Sequence, residues 1–408
     1  MTLNVIFIEP SFPFNQREFV RALYKTGAHV IGIGERPADY LSDELKTWLG
    51  DYVQVRSVVH EPSLLEAVRR IQKVLWVDRL EATVEAHIMA AAHVRKATGI
   101  PGTTVETAFL CRDKPAMKDA LRAAGVPCAQ STRARSAQDA YDFAASTGYP
   151  LIIKPPAGAG ASATYKVREE THLQQVIQEC GLGNGVEVAI EEFIEGHEGF
   201  IDTLTINGNV THEFITHYYP NVLEAMRERW ISPQMITTNR IAAEGYNEVR
   251  AMAREVNKIL RIGTSATHME WFYGPKGLKF SEIGCRPPGV GQWDVYNAAN
   301  EFDLYFEWAT AIVNGRPHSK PSRRYAAGMI ALRPERDGHI NGYSGVNDIS
   351  DRYGDCVVAA HFPEPGTPTQ AVEAGYMANA WMRVRHPDYD QLRRIMNDIG
   401  ETITVHAS

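Results

Sequence analysis

The chain has 408 residues, 22% charged and 44% hydrophobic, with a formal net charge of -7. That length supports roughly two or three packed units around a cleft, and so ordinary a composition excludes wholesale disorder. The negative charge speaks against a nucleic-acid surface as the main business, and no apolar run of about 18 residues offers a membrane span.

The opening Met1-Thr-Leu-Asn-Val-Ile-Phe-Ile8 lacks a basic segment and reads as a first strand, not a signal peptide. Cys111, Cys128, Cys180, Cys285 and Cys356 are widely spaced with no Cys-x-x-Cys pair, which fits a reducing, cytoplasmic setting. Short apolar runs at 3–8, 30–33, 52–55 and 74–77 alternate with helical periodicity at 16–25 and 63–72, the pattern of a parallel sheet flanked by helices. The turn after the first run, Glu9-Pro-Ser-Phe-Pro-Phe14, has no Gly-x-Gly-x-x-Gly, so this lobe is not expected to hold NAD. Its strand ends still face a cleft, which makes Glu9, Ser11 and Arg17 substrate-contact candidates; the alternative for Arg17 is an ordinary helix surface.

A helical stretch at 81–98 precedes Ile100-Pro-Gly102, which closes the first unit. Asp113-Lys114-Pro115 then opens a helix at 116–124 that Gly125 stops. A lysine at such an entrance either reaches a phosphate or is simply exposed. The strand 149–154 delivers Lys154 into Pro156-Ala-Gly158-Ala-Gly160-Ala-Ser162, where glycines free backbone N–H groups to cradle phosphates. The dinucleotide fingerprint requires a helix next, whereas 164–167 is strand-like, and the Gly-Lys-Ser/Thr ending of a Walker A loop is absent. Two readings remain: a hairpin loop that closes over phosphate, or a plain surface loop.

A helix at 169–179 leads to a strand at 186–191, which runs into Glu192-Phe193-Ile194-Glu195-Gly196-His197-Glu198. An extended segment with Phe and Ile walls suits an adenine ring, and Glu198 suits ribose hydroxyls; an acid-rich turn is the plain alternative. Strands at 199–206 and 210–217 flank the hairpin signal Asn207-Gly208. Residues 218–240, with Arg227, Arg229, Trp230 and Thr237, read as an irregular excursion, either a substrate lid or plain surface. Helices follow at 244–260, 302–313 and 389–399, with strands at 325–332, 356–361 and 380–384.

Between the first two of those helices, the runs 267–273 and 278–283 flank Gly274-Pro-Lys-Gly277. A type I turn with Gly277 as a left-handed bulge would set Glu270 directly opposite Glu282. Two carboxylates about 4 Å apart at an effective dielectric near 20 repel by about 4 kcal/mol, which a divalent cation with oxygen ligands offsets. The alternatives are two solvated carboxylates, or a two-residue loop that puts them on opposite faces.

Taken in order, Asp113-Lys114, Ile153-Lys154-Pro155, the Gly158 to Ser162 loop, Glu191 to Glu198, and Glu270 with Glu282-Ile-Gly-Cys-Arg286 resemble the ATP-grasp ligases over residues 100–315. The resemblance implies an α/β fold of ATP-grasp architecture. Its parts are a Rossmann-like N-terminal lobe at 1–105, an ATP-grasp domain at 106–320 and a C-terminal α+β lobe at 321–408. Within the middle part, 106–195 contains the ATP lid and 196–320 the metal and substrate subdomain.

It further implies that Lys114 and Lys154 contact ATP phosphates, that Gly158, Gly160 and Ser162 close over them, and that Glu191, Glu192, Phe193 and Ile194 line the adenine site, with Glu198 at the ribose. Glu270 and Glu282 would hold Mg²⁺, usually as two ions and replaceable by Mn²⁺, with Arg286 and Lys154 as the catalytic cations. Many members carry Asn where this chain has Gly284, which puts the second metal site in doubt. Cys285 is expected to be packed, and His268 to be a structural neighbour of the metal strand. The implied reaction is ATP-dependent carboxylate–amine ligation through an acyl phosphate, on an amino acid or similar small metabolite. A bicarbonate-using carboxylase or purine-pathway relative, and a non-catalytic ATP-binding regulator, are the alternatives. Small-molecule acid and amine substrates, no nucleic acid, no membrane and a homodimer complete the expectation. The motifs do not name the acid or the amine, whose contacts come from the first lobe, the 218–240 excursion and the C-terminal lobe.

Overall fold

The computed structural model describes residues 2–157 and 163–408 and organises them around an eight-stranded antiparallel sheet. Its strand order is Gly277–Gly284, Ser265–Gly274, His197–Ile206, Asn209–Tyr219, Gln234–Thr237, Ala326–Leu332, Ala380–His386 and Val357–His361. Asn207 and Gly208, at φ 50° and 82°, make the tight turn expected between the third and fourth of these. Three strands from beyond residue 321 thus continue the sheet that carries the Glu270–Glu282 hairpin. A second, antiparallel sheet orders Ser131–Ala134, Val188–Glu192, Leu151–Lys154 and Tyr165–Val167. The N-terminal layer is parallel, in the order Asp51–Gln54, His29–Gly34, Asn4–Ile8 and Arg79–Glu81.

Three expectations change. The fourth parallel strand is Arg79–Glu81, not the apolar run 74–77, in which Val74 is 81% and Trp76 71% exposed. The chain joins the sheet only after Asp78, whose carboxylate accepts from the Asn4 backbone N–H at 2.8 Å. The helix expected from 81 accordingly begins at Ile88. The excursion 218–240 contains the strand Gln234–Thr237, buried at all four positions in the middle of the large sheet. A strand covered on both faces has no period-two signature, which is why the run reads as irregular.

Aromatic packing fastens the N-terminal layer to the helices behind the large sheet. Phe19, from the helix Gln16–Lys25, meets Trp293, Tyr305 and Trp308 with ring centroids 5.1, 4.9 and 5.0 Å apart, in tilted and edge-on geometries. Among the described residues no helix is long and apolar enough to cross a membrane.

On the sheet face away from the glutamates, His197 Nε2 lies 2.8 Å from His217 Nδ1, and His217 Nε2 lies 2.9 Å from the Tyr246 hydroxyl. Burial, reinforced by His197 and Arg393, pushes His217 from its ordinary 6.5 down to about 3. It therefore stays neutral in the fold while an unfolded chain protonates it. The stability this contributes is whole above about 6.5 and is lost as pH falls toward about 3. His217→Gln should flatten the fall in denaturation midpoint between pH 7 and pH 4, and a slope equal to that of the wild type would contradict this account.

Candidate active site

The register of the hairpin is Gly274 with Gly277, Tyr273 with Leu278, Phe272 with Lys279 and Trp271 with Phe280, then Glu270 with Glu282. The facing pair is as expected, but the extra residue is Ser281 and not Gly277. Continued from the tip, the register would set Glu270 against Ser281 and turn Glu282 to the other face. The bulge at Ser281 returns it. Gly277 does adopt a left-handed φ of 74° at the turn. On the adjoining strand, Glu198 stands across from Phe272, Phe200 from Glu270 and Asp202 from His268, so these side chains share one face.

Against this face comes the helix Lys114–Ala123, whose first turn is capped by the Asp113 side chain accepting from Ala116 N–H at 3.0 Å. Lys114 Nζ lies 3.2 Å from Glu282 Oε2, and Lys118 Nζ, one turn on, 2.6 Å from Glu191 Oε2. Lys154 Nζ bridges the two acids, 3.0 Å from Glu191 and 3.8 Å from Glu282. Burial alone would discharge such a knot. It pulls Lys118 down to about 8 despite Glu191, whereas burial of Glu191 is overcome by Lys118 and Lys154, which hold it at about 2. Glu282 is likewise held low by Lys114 and Lys154 against its burial. Sequence reasoning missed Lys118; its signal is the i, i+4 spacing from Lys114 on a single helix face.

Glu270 has a different neighbour. His268 donates through Nδ1 to Asp202 Oδ1 at 2.7 Å, and its Nε2 is 3.5 Å from Glu270 Oε1. Burial works against its charge, but Asp202 and Glu270 prevail and raise it to about 9, so an imidazolium stands beside the carboxylate. His268 thus stands next to Glu270 on the same strand. Burial and then Glu270 raise Glu198 to about 8, and its carboxyl oxygen accepts from Val222 N–H at 2.7 Å.

Arg286 donates through Nε to Glu85 Oε2 at 2.7 Å and through Nη1 to Pro287 O at 2.8 Å. A Cβ added at Gly284 would lie 3.3 Å from Arg286 Cγ and 3.4 Å from Glu85 Oε2. The room for a longer side chain there is taken by this ion pair, which gives the glycine a structural reason.

In the segment expected at the adenine ring, the Glu192 and Phe193 N–H groups already donate to Gln130 O at 2.9 Å and Pro150 O at 3.1 Å. What Phe193 offers instead is a ring face, over which Lys166 Nζ sits at 3.5 Å. Glu191 serves as counter-ion to two lysines. Gly196, at φ 155°, lets the chain cross the hairpin, since a Cβ there would fall 2.5 Å from Tyr273 O.

Lys114, Lys154, Glu191 to Ile194, Glu198, Glu270, Glu282 and Arg286 all line one cavity of about 1210 Å³, ample for a nucleotide and a small substrate. Gly158, Gly160 and Ser162 lie outside the described residues. Asn15, Gln16 and Glu85 close the cavity from the N-terminal layer, and Arg227 and Trp230 from the excursion. Glu9, Ser11 and Arg17 do not line it. Glu9 accepts from Ser11 Oγ at 2.7 Å and Glu35 N–H at 2.9 Å, and Arg17 pairs with Glu44. Among the described residues no group of three or more His, Cys, Asp or Glu side chains forms a metal cage. Two facing carboxylates suit Mg²⁺ when phosphate oxygens and water complete its shell.

Residues 113–200 match the family model described as the carbamoyl-phosphate synthase L chain ATP-binding domain. The L-arginine-specific L-amino acid ligase of Bacillus subtilis is 27% identical over 248 residues, a match spanning 59% of this chain and 59% of that protein. Alanine–anticapsin ligase of the same species is 22% identical over 230 residues, spanning 52% of this chain and 48% of that protein. Each match thus takes in less than two thirds of the relative. The crystal structure of L-amino acid ligase from Bacillus licheniformis superposes with a TM-score of 0.75 at 17% identity, over 100% of this chain and 99% of that one. Phosphoribosylglycinamide synthetase from Anaerococcus prevotii gives 0.71 at 14% identity over 100% of both chains. The fold is that of the ATP-grasp enzymes.

The lysine knot makes a stability claim of its own. Lys118→Met should cost about 1.5–3 kcal/mol, the worth of a hydrogen bond to a charged group. The double variant Lys118→Met with Glu191→Leu should recover none of it, because Lys154 still pairs with Glu191 at 3.0 Å in the single variant and loses that partner in the double. Chemical denaturation checks both, and an unaltered midpoint in the single variant would contradict the role given to Lys118.

Proposed function

We propose that this chain, an ATP-grasp protein by motif and fold, is an ATP-dependent ligase that joins a carboxylate to an amine through an acyl phosphate. At least one substrate is an amino acid, and ADP and phosphate are released. The observation that carries this reading is the convergence of Lys114 and Lys154 on Glu282, itself facing Glu270, in the cavity that Arg286 lines. The amino-acid ligases among its relatives support an amide product over a carbamate.

Lys114, Lys154 and Glu282 neutralise one another. With ATP bound, Lys114 and Lys154 would turn from Glu282 to phosphate oxygens, and Glu270 and Glu282 would hold the metal. Partners are exchanged and no buried charge is left alone. Bound Mg²⁺ supplies neutralisation of the phosphate charge. His268, held by Asp202, keeps Glu270 in place, and Lys118 keeps Glu191, and through it Lys154, in place. Phe193 and Ile194 form apolar walls for the base.

A substrate carboxylate beside Arg286 attacks the γ-phosphorus, the bond to the ADP oxygen breaks, and a mixed anhydride forms. The neutral amine of the second substrate then attacks the acyl carbon, the C–O bond to phosphate breaks, and the amide forms as the nitrogen loses its proton. Positioning and charge neutralisation lower these barriers, which is chemistry suited to lysines and an arginine rather than to a covalent nucleophile.

Purified protein incubated with ATP, Mg²⁺ and pooled amino acids should release ADP only when both an acid and an amine are present. Release that depends on bicarbonate would transfer the chain to the carboxylase reading. Glu282→Gln should lower ADP release at least about 100-fold, the scale of losing one preorganised electrostatic contact, with its circular dichroism unchanged. Arg286→Ala should impair phosphoryl transfer more than ATP binding, and equal losses would count against its place beside the attacking carboxylate.

A further inference from the structure

Gln16 and Thr83 lie beyond the ends of two adjacent parallel strands. Gln16 opens the helix that follows Asn4–Ile8, and Thr83 comes just after Arg79–Glu81. The carboxyl ends of such strands are where an α/β sheet presents residues to a ligand. Both residues line the large cavity, although they are only 3% and 6% exposed. Thr83 Oγ1 donates to Gln16 Oε1, a bond between two buried groups. It fixes the carboxamide, whose oxygen is taken and whose Nε2 is what Gln16 can offer a ligand. Asn15, the residue before the helix, also lines the cavity. An Asn in that position ordinarily caps its helix, but here the side chain makes no cap bond.

This corner adjoins the place assigned to the attacking carboxylate. Thr83 and Glu85 are two positions apart in the chain, so their Cα atoms are at most about 7 Å apart, and Glu85 holds Arg286 at 2.7 Å. A substrate whose carboxylate lies beside Arg286 can therefore lay the other end of its chain against Gln16. The N-terminal layer's further contributions to the wall, Pro13, Phe19 and Val84, are apolar. Among the described residues this layer gives the cavity no cation, and its one acid, Glu85, is engaged with Arg286. A charged group entering here would lose water without gaining a counter-charge. An aliphatic group would cover two carboxamides and pair with neither.

We infer that Asn15 and Gln16 select the side chain of the acid that is phosphorylated, and that the chemistry they select is an uncharged carboxamide. This rests on the ligase reading above. Gln16 Nε2 donates to the oxygen of that carboxamide, and Asn15 Oδ1 accepts from its nitrogen, so donor meets acceptor in both directions. Gln16 and Asn15 determine specificity, and Thr83 is a positioning residue that acts through Gln16. A site built to hydrogen-bond a substrate group rejects the analogue that lacks it, because its own polar atoms are then left unpaired. The corner thus discriminates between acids of equal size.

The test uses hydroxylamine in place of the amine substrate. Its nitrogen attacks the acyl carbon, phosphate leaves and the nitrogen loses a proton, so the hydroxamate formed identifies the acid that was phosphorylated. Glutamine is compared with methionine, and asparagine with leucine, as acids of similar size. In the wild type at least one carboxamide acid should have a kcat/KM about tenfold or more above that of its apolar counterpart, a discrimination of about 1.4 kcal/mol. Gln16→Met should abolish that preference chiefly through KM, raising it for the carboxamide acid and lowering it for the apolar one. Thr83→Val keeps the shape but removes the hydroxyl, and should weaken the preference in the same way, with Thr83→Ser restoring it. Asn15→Ala, at a partly exposed position, should also weaken it and does not disturb the buried pair, so a fold defect in Gln16→Met does not obscure the result. Equal kcat/KM within both pairs in the wild type, or a preference that survives Gln16→Met and Asn15→Ala, would overturn the inference. Absence of hydroxamate and of ADP release with every acid would overturn the ligase reading instead. Calorimetric titration of the ADP-loaded protein with glutamine and asparagine then reads the corner alone. Binding that Gln16→Met weakens about tenfold or more upholds it, and no binding or no weakening overturns it.

Discussion

Two carboxylates held side by side on one sheet face set the terms for everything around them. Glu270 and Glu282 are cross-strand partners, and like charges in that relation are destabilising. The protein's own cations provide the offset. Lys114 and Lys154 stand on Glu282, and His268, charged under the influence of Asp202, stands beside Glu270. Counter-charge thus reaches the facing glutamates from three elements of the chain.

That arrangement separates what exchanges from what stays. Lys118 with Glu191, a buried pair at 2.6 Å, and Asp202 with His268, a partly buried pair at 2.7 Å, are contacts that no ligand needs to break. They form the frame. Lys114 and Lys154 reach Glu282 at 3.2 and 3.8 Å, looser contacts that phosphate oxygens can replace. Under the proposed function the frame would keep Lys114 and Lys154 within reach of both Glu282 and phosphate.

Much of this was legible in the residues. The lysine at a helix entrance, the lysine at a strand end, the Phe-Ile wall and the two facing glutamates all follow from local chemistry, and their joint order carries the family resemblance. What was not legible depends on contacts far apart in the chain. The bulge lies at Ser281, and nothing in Lys-Phe-Ser-Glu distinguishes it from a bulge at the turn. Glu85 reaches Arg286 across 201 positions and fills the space above Gly284. Val74 and Trp76 read as strand because periodicity reports hydrophobicity and not which side of a chain meets a core. Gln234–Thr237 read as loop because a strand buried on both faces loses its alternation.

The central claim is that a substrate carboxylate takes the γ-phosphoryl group at this site. Turnover with a carboxylate labelled with ¹⁸O in both oxygens tests it most directly, by mass analysis of the phosphate released. An acyl phosphate leaves one labelled oxygen in each phosphate, because the attacking carboxylate oxygen departs with it. Phosphate free of label, released alongside ADP, would contradict the account.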